Sequence, residues 1–188
     1  YNFNIDKNHF NIMYTGNIGK AQNFSDLIKT IEYLDKNVHW IFVGGGRYKN
    51  EFIKILQKNH LYERVTFIEQ VKINKIPTLV NNASALFLSL KNDDIFSKTV
   101  PAKLQSYMAL GKPIIGVLNG EGARLITESN CGIVEENYDY IELAKKINNF
   151  IKMSNSELSV LGKNGKTFYQ KKFSSKIRML QIQNIVYE

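Results

Sequence analysis

The sequence holds a single cysteine, Cys131, so no disulfide can close within the chain, and a reducing, cytoplasmic setting is the default. That residue sits between Asn130 and Gly132 at the start of an apolar segment, where a buried, unreactive thiol is expected. Prolines number only three and no low-complexity tract occurs, which argues against long disordered segments. No apolar run approaches the roughly 18–20 residues that cross a bilayer as a helix. The chain opens Tyr1-Asn2-Phe3-Asn4, with no Met and no signal peptide, and the expectation is a piece of a longer protein. His9, His39 and His60 lie in separate contexts without metal-ligand spacing. Blocks of five or more like charges are missing, and so is any recognised nucleic-acid motif. Aromatic residues do not interleave with lysines as a single-strand nucleic-acid surface requires, and Trp40 falls in an apolar run, as a core residue would.

What is present is an ordinary globular composition, 44% hydrophobic and 22% charged, with a net charge of +8. That charge suits phosphates, anionic lipid or nucleic acid. The lysines are spread along the whole chain, and a solvated lysine-rich surface explains most of it. At 188 residues the chain is long enough for one α/β domain with a real core. Residues 1–9 read as a linker, and a last helix is expected over 174–188. Apolar runs at 9–15, 38–43, 65–68, 85–88, 114–117 and 132–134 read as strands. Helical spacing marks 22–34, 48–59, 73–82, 101–110, 121–129, 141–151 and 156–171, while 92–99 reads as a polar loop. This alternation predicts a doubly wound, parallel, six-stranded sheet with helices on both faces, a Rossmann-like α/β fold. Ligands of such sheets bind beyond the carboxyl ends of the strands, so the loops at 16–22, 44–48, 69–72, 90–100 and 118–121 are the ones to watch.

One stretch, residues 101–116, organises the chain. Pro101 suits the first turn of a helix, where its missing N–H costs nothing. Leu104, Tyr107 and Met108 recur at helical spacing and face a core; Gly111 can take the left-handed conformation that ends the helix. Pro113 blocks continuation, and Ile114, Ile115 and Val117 form a buried strand. Free N–H groups at the Pro101 end make an anion site. Lys103 sits in that first turn, where the helix dipole disfavours a lysine unless an anion is bound there.

The string Pro101-Ala-Lys-Leu-Gln-Ser-Tyr-Met-Ala-Leu-Gly-Lys-Pro-Ile-Ile-Gly116, followed by Asn119-Gly120-Glu121, resembles the donor-binding, C-terminal half of retaining GT-B glycosyltransferases of the family 4 type, in the subgroup that builds bacterial surface polysaccharides. The resemblance runs from about residue 10 to residue 173. It implies half of a two-domain fold, the N-terminal acceptor domain being absent from this chain and supplying most catalytic groups. It implies a nucleotide-sugar donor, a UDP-sugar with an N-acetylhexosamine as candidate, and retaining hexosyl transfer to a lipid-linked oligosaccharide in O-antigen, capsule or exopolysaccharide synthesis. It implies no cofactor and no metal, a cytoplasmic location with peripheral contact at the inner face of the membrane, and no nucleic-acid partner. A competing reading is a nonenzymatic nucleotide- or nucleic-acid-binding module.

The same resemblance assigns roles to individual positions. Gly16, Asn17, Lys20 and Gln22 form the loop beside the donor diphosphate, where the family commonly carries an arginine and a lysine; a gapless match puts Asn17 and Gln22 there instead. Lys20, Lys98 or Lys103 is then the source of the missing charge. Gly45 borders the donor pocket or forms a plain helix-entry turn; its neighbourhood is no dinucleotide fingerprint, since Lys49 stands where the last glycine belongs. Backbone groups after Phe67 pass the nucleotide base, with Glu69 as a side-chain candidate. Two glutamates usual in the family fall at Lys98 and Ser106; Ser106 is a weaker ribose contact, and Lys98 a candidate catalytic group. Asp93 and Asp94 are loop carboxylates that stand near the substituted position. Pro101 and Lys103 meet phosphate, and Glu121 reaches a sugar hydroxyl or serves the start of its helix.

Overall fold

The structure is a computed structural model that describes residues 5–174 and Ile177. Six strands, β1 (Phe10–Thr15), β2 (Val38–Val43), β3 (Val65–Ile68), β4 (Ala85–Ser89), β5 (Ile114–Val117) and β6 (Gly132–Glu135), form one sheet in the order β3-β2-β1-β4-β5-β6. Each described pairing is parallel. The order reverses between β1 and β4, which is the topological switch of a doubly wound sheet. The expected fold class is therefore the observed one.

The strands are buried on both faces, and alternation sorts their side chains between two cores. Ile12, Tyr14, Trp40, Phe42 and Phe87 point to one core, where α1 (Phe24–Glu32), α2 (Lys49–Lys58) and α7 (Tyr140–Phe150) contribute Phe24, Phe52 and Ile147. Met13, Ile41, Val43, Leu86 and Leu88 point to the other, closed by α3 (Ile76–Val80), α5 (Ala102–Leu110) and α6 (Gly120–Glu128) through Leu79, Leu104, Met108 and Ile126. A long helix, α8 (Asn155–Lys172), packs along α5; its start carries a Ser154–Glu157 capping box. Cys131 is buried in the second core, and burial raises its thiol pKa, as the reading of an unreactive thiol requires.

Three local expectations need correction. The polar loop at 92–99 contains a one-turn helix, α4 (Asp94–Ser97): the Asp93 carboxylate accepts the Ile95 N–H at 2.8 Å and caps it. Pro101 is not in the first turn of α5 but is its N-cap, with extended ψ of 129°, so the helix starts at Ala102. The long helix expected over 73–82 is a 3₁₀ turn, Ile73–Lys75, followed by the short α3. Pro77, in the first turn of α3, has no N–H to extend the ladder back into that turn. A similar 3₁₀ turn, Lys20–Gln22, precedes α1. Of the expected linker, residues 5–9 carry no regular element; residues 1–4 and all but Ser174 and Ile177 of the expected last helix lie outside the described residues.

Candidate functional site

At the carboxyl edge of the sheet, the loops after β1, β2 and β3 are laced together by backbone hydrogen bonds. The Gly16 N–H donates to Val43 O at 2.8 Å, the Ile18 N–H to Gly45 O at 2.7 Å, and the Gly44 N–H to Ile68 O at 2.9 Å. This close approach needs glycine. Gly44 has φ of +130°, and a Cβ there would lie 2.3 Å from the Gly16 carbonyl oxygen. Gly45 differs, since a Cβ built on it meets nothing within 4 Å. It exposes bare backbone to a cleft of about 660 Å³, walled by Thr15, Gly16, Asn17 and residues 43–46 on one side and by residues 70–73 and Ile76 on the other. Ile73 stands 87% exposed at that rim.

The switch point supplies the charge. β1 and β4 pair through only two residue pairs, Ile12 with Ala85 and Met13 with Leu86. Beyond them, side chains of α5 reach the end of β1. Tyr107, fully buried, accepts the Thr15 N–H at 2.9 Å. Lys103, one turn earlier on the same helix face, places its ammonium 3.8 Å from the Tyr14 ring centroid and donates to the Tyr14 hydroxyl at 2.5 Å. The same hydroxyl donates to the Asn17 carbonyl at 2.6 Å. Lys103 Nζ lies 3.0 Å from where a Gly16 Cβ would be, beside the cleft wall. Burial lowers its pKa to about 8, with no carboxylate offsetting that loss. Burial also raises the Tyr14 phenol well above its ordinary value and the Tyr107 phenol to about 12, so both are neutral donors and acceptors.

Gly16, Asn17 and Gly45 line this cleft; Lys103 is not in its lining but stands directly beside Gly16, and Pro101 caps the helix that carries it. Other expected residues are engaged elsewhere. Lys20 is exposed on its 3₁₀ turn and does not line the cleft. The Gln22 side chain folds back, its Oε1 accepting the Gly19 N–H at 3.0 Å. The Phe67 ring stacks on Phe42 at 5.6 Å, so its side chain belongs to the core, and the residues that follow it provide the far wall. Glu69 is 86% exposed and pairs with Lys49 at 2.5 Å. The Ser106 hydroxyl donates to the Ala102 carbonyl at 3.1 Å, and Lys98 is an exposed residue at the end of α4; neither lines the cleft. Glu121 is held by Arg124 at 2.6 Å and lines a separate depression with Gln105 and Phe168. Asp93 caps α4 and Asp94 sits in its first turn. Among the described residues no three His, Cys, Asp or Glu side chains converge, and no described helix is long and apolar enough to cross a membrane.

Sequence reasoning missed Tyr14 and the lining residues Ile73 and Ile76, and it placed Gln70, Val71 and Lys72 at the ligand edge only as members of a loop, without a role for their side chains. The only cue to Tyr14 was a phenol one residue from the carboxyl end of a strand otherwise bound for the core. Lys72 had a clearer cue, since its loop was already one of those at the ligand edge.

Comparison with known proteins bears on this geometry. The family described as glycosyl transferases group 1 matches residues 2–168. No curated protein matches the chain. Similar solved structures include HepE of Anabaena in complex with UDP and glucose, at 19% identity and a TM-score of 0.79, covering 96% of this chain and 48% of that one. Sucrose-phosphate synthase from Thermosynechococcus elongatus is similar at 19% identity and a TM-score of 0.83, with 98% and 46% covered. WaaG, a glycosyltransferase involved in lipopolysaccharide biosynthesis, is similar at 16% identity and 0.74, with 90% and 45% covered. The chain spans about half the length of these relatives, and at such identities the likeness is one of fold.

Proposed function

The chain belongs to the family of glycosyl transferases group 1, and from that premise we propose that it is the donor-binding domain of a retaining hexosyltransferase of the family 4 type. The donor is a nucleotide sugar, a UDP-sugar with an N-acetylhexosamine as candidate. The acceptor is a lipid-linked saccharide of a bacterial surface polysaccharide, held by a further domain that this sequence does not include. The full enzyme then works at the cytoplasmic face of the membrane through peripheral contact. UDP in the HepE structure and the lipopolysaccharide role of WaaG support this reading, as does the cleft.

One observation carries it: a partly buried lysine without a carboxylate partner, set at the topological switch beside a glycine-lined cleft. Such an ammonium fits a diphosphate. Lys72, also in the lining, adds a second cation where the loop after β1 brings only the neutral Asn17 side chain to the cleft and turns Gln22 back on Gly19. Val71, Ile73 and Ile76 present the apolar surface a base needs. In the reaction the bond from the anomeric carbon to the diphosphate oxygen breaks, a bond to the acceptor oxygen forms on the same face, and the acceptor hydroxyl's proton passes to the departing diphosphate oxygen. Negative charge grows on the leaving phosphate, and Lys103 with the first amides of α5 stabilises it without a metal or other cofactor.

Thermal melts separate this from a nonenzymatic nucleic-acid-binding module. UDP at about a hundred times its Kd should add ~2.7 kcal/mol and raise the melting temperature by roughly 5–10 °C, with EDTA present. Stabilisation by oligonucleotides with steep salt dependence, and none by nucleoside diphosphates, would overturn the transferase reading.

A further inference from the structure

We propose that Tyr14 is a positioning residue: its neutral hydroxyl holds the Lys103 ammonium at the cleft wall and ties it to the Asn17 carbonyl, so that the helix lysine and the loop after β1 meet an incoming diphosphate as one unit. This rests on the donor-binding reading above. The ring cannot wander. Tyr14 has no exposed surface, packs edge-on against Phe24 at 5.0 Å, and lies 5.8 Å from Phe42. The direction of each hydrogen bond is fixed by chemistry, since an ammonium only donates and a carbonyl only accepts. The chain therefore runs from Lys103 Nζ to Tyr14 Oη at 2.5 Å, and from Tyr14 Oη to Asn17 O at 2.6 Å.

The neutral tether matters. A carboxylate in this place would hold the lysine by neutralising it, leaving little charge for a phosphate. The phenol's burial keeps it protonated, so it orients the ammonium and leaves the full positive charge unspent. Gly16 completes the arrangement, because a side chain there would meet Nζ at 3.0 Å. The anchoring of α5 to β1 does not depend on this contact. Tyr107 independently takes the Thr15 N–H, and the loop keeps its Ile18-to-Gly45 bond. Removing one oxygen from Tyr14 should thus leave the fold intact and release the lysine.

The test is a double-mutant cycle on the 188-residue chain, with Tyr14→Phe, Lys103→Ala and the pair, each titrated calorimetrically with UDP and with uridine. Tyr14→Phe should weaken UDP about tenfold and leave uridine within twofold. In the Lys103→Ala background it should cost nothing further, because the group it acts through is gone. Additive losses, or equal losses for uridine, would mean Tyr14 supports the loop or the fold, and the inference would fail. Should Lys103→Ala weaken UDP while Tyr14→Phe does not, the inference alone fails and the phosphate role of Lys103 stands. A wild-type chain that binds no UDP removes the donor-binding reading and this inference with it. Urea unfolding of each variant checks that only folded protein is compared.

Discussion

Replacing Lys103 with Met should make the unliganded domain more stable while weakening its grip on UDP. The lysine pKa falls from 10.5 to about 8 on folding, and desolvation is the cause. At ~1.4 kcal/mol per unit, keeping the ammonium charged in this place costs about 3 kcal/mol at neutral pH. Met keeps most of the aliphatic stem that runs from α5 toward Tyr14 and discards the charge. Tyr14 loses a donor but keeps its bond to Asn17, so no buried donor is left unpaired. The gain should be ~1–3 kcal/mol, or roughly 2–10 °C in melting temperature for a domain of this size. Its pH dependence is fixed by linkage. Between about 8 and 10.5 the unfolded chain holds the Lys103 proton and the folded one does not. Stability of the native protein therefore rises with pH across that window, and below it the full penalty stands. The advantage of Met should be largest at pH 7 and should shrink toward pH 10. Urea unfolding at both pH values reads this directly. A Met variant no more stable than the wild type at pH 7, or an advantage that does not shrink, would refute the reasoning.

Three further outcomes are expected. Gly44→Ala should destabilise by more than ~2 kcal/mol in urea unfolding, because a Cβ there sits 2.3 Å from the Gly16 carbonyl oxygen at a φ of +130°. Arg64→Met should destabilise by ~2–4 kcal/mol without changing the ratio of UDP to uridine affinity; its guanidinium donates to the carbonyls of Ile31, Leu34 and Asp35 at the end of α1, far from the cleft lining. UDP affinity should be flat from pH 6.5 to 7.5 and fall above about pH 8 as Lys103 loses its proton, by up to tenfold per unit, while Lys103→Met shows no such fall; calorimetry in matched buffers gives both curves.

The fold was legible because parallel strands buried on two faces read as unbroken apolar runs. Val38–Val43 and Val65–Ile68 have the bounds that their composition suggests. The switch point was legible only in kind, since strand order is a long-range property and no local pattern states that β1 stops pairing with β4 after two residue pairs. Local polar contacts were the weak point. Asp93 capping α4, Gln22 folding back to Gly19, and Glu121 gripping Arg124 three residues on are all short-range bonds that divert a polar side chain from a ligand role. Each stood within hydrogen-bonding reach along the chain, so its spacing was a usable cue. Lys103 was picked out by its place in the first turn of a helix, but its burial against Tyr14 depends on tertiary packing and left no trace in the sequence.

The most direct measurement of the central claim is calorimetric titration of the wild-type chain with UDP and with uridine, side by side, in EDTA. If Lys103 and the glycine-lined cleft form a diphosphate site, UDP should bind at least tenfold more tightly than uridine, with no loss on chelation. Equal affinities, or no binding of either nucleotide, would contradict it.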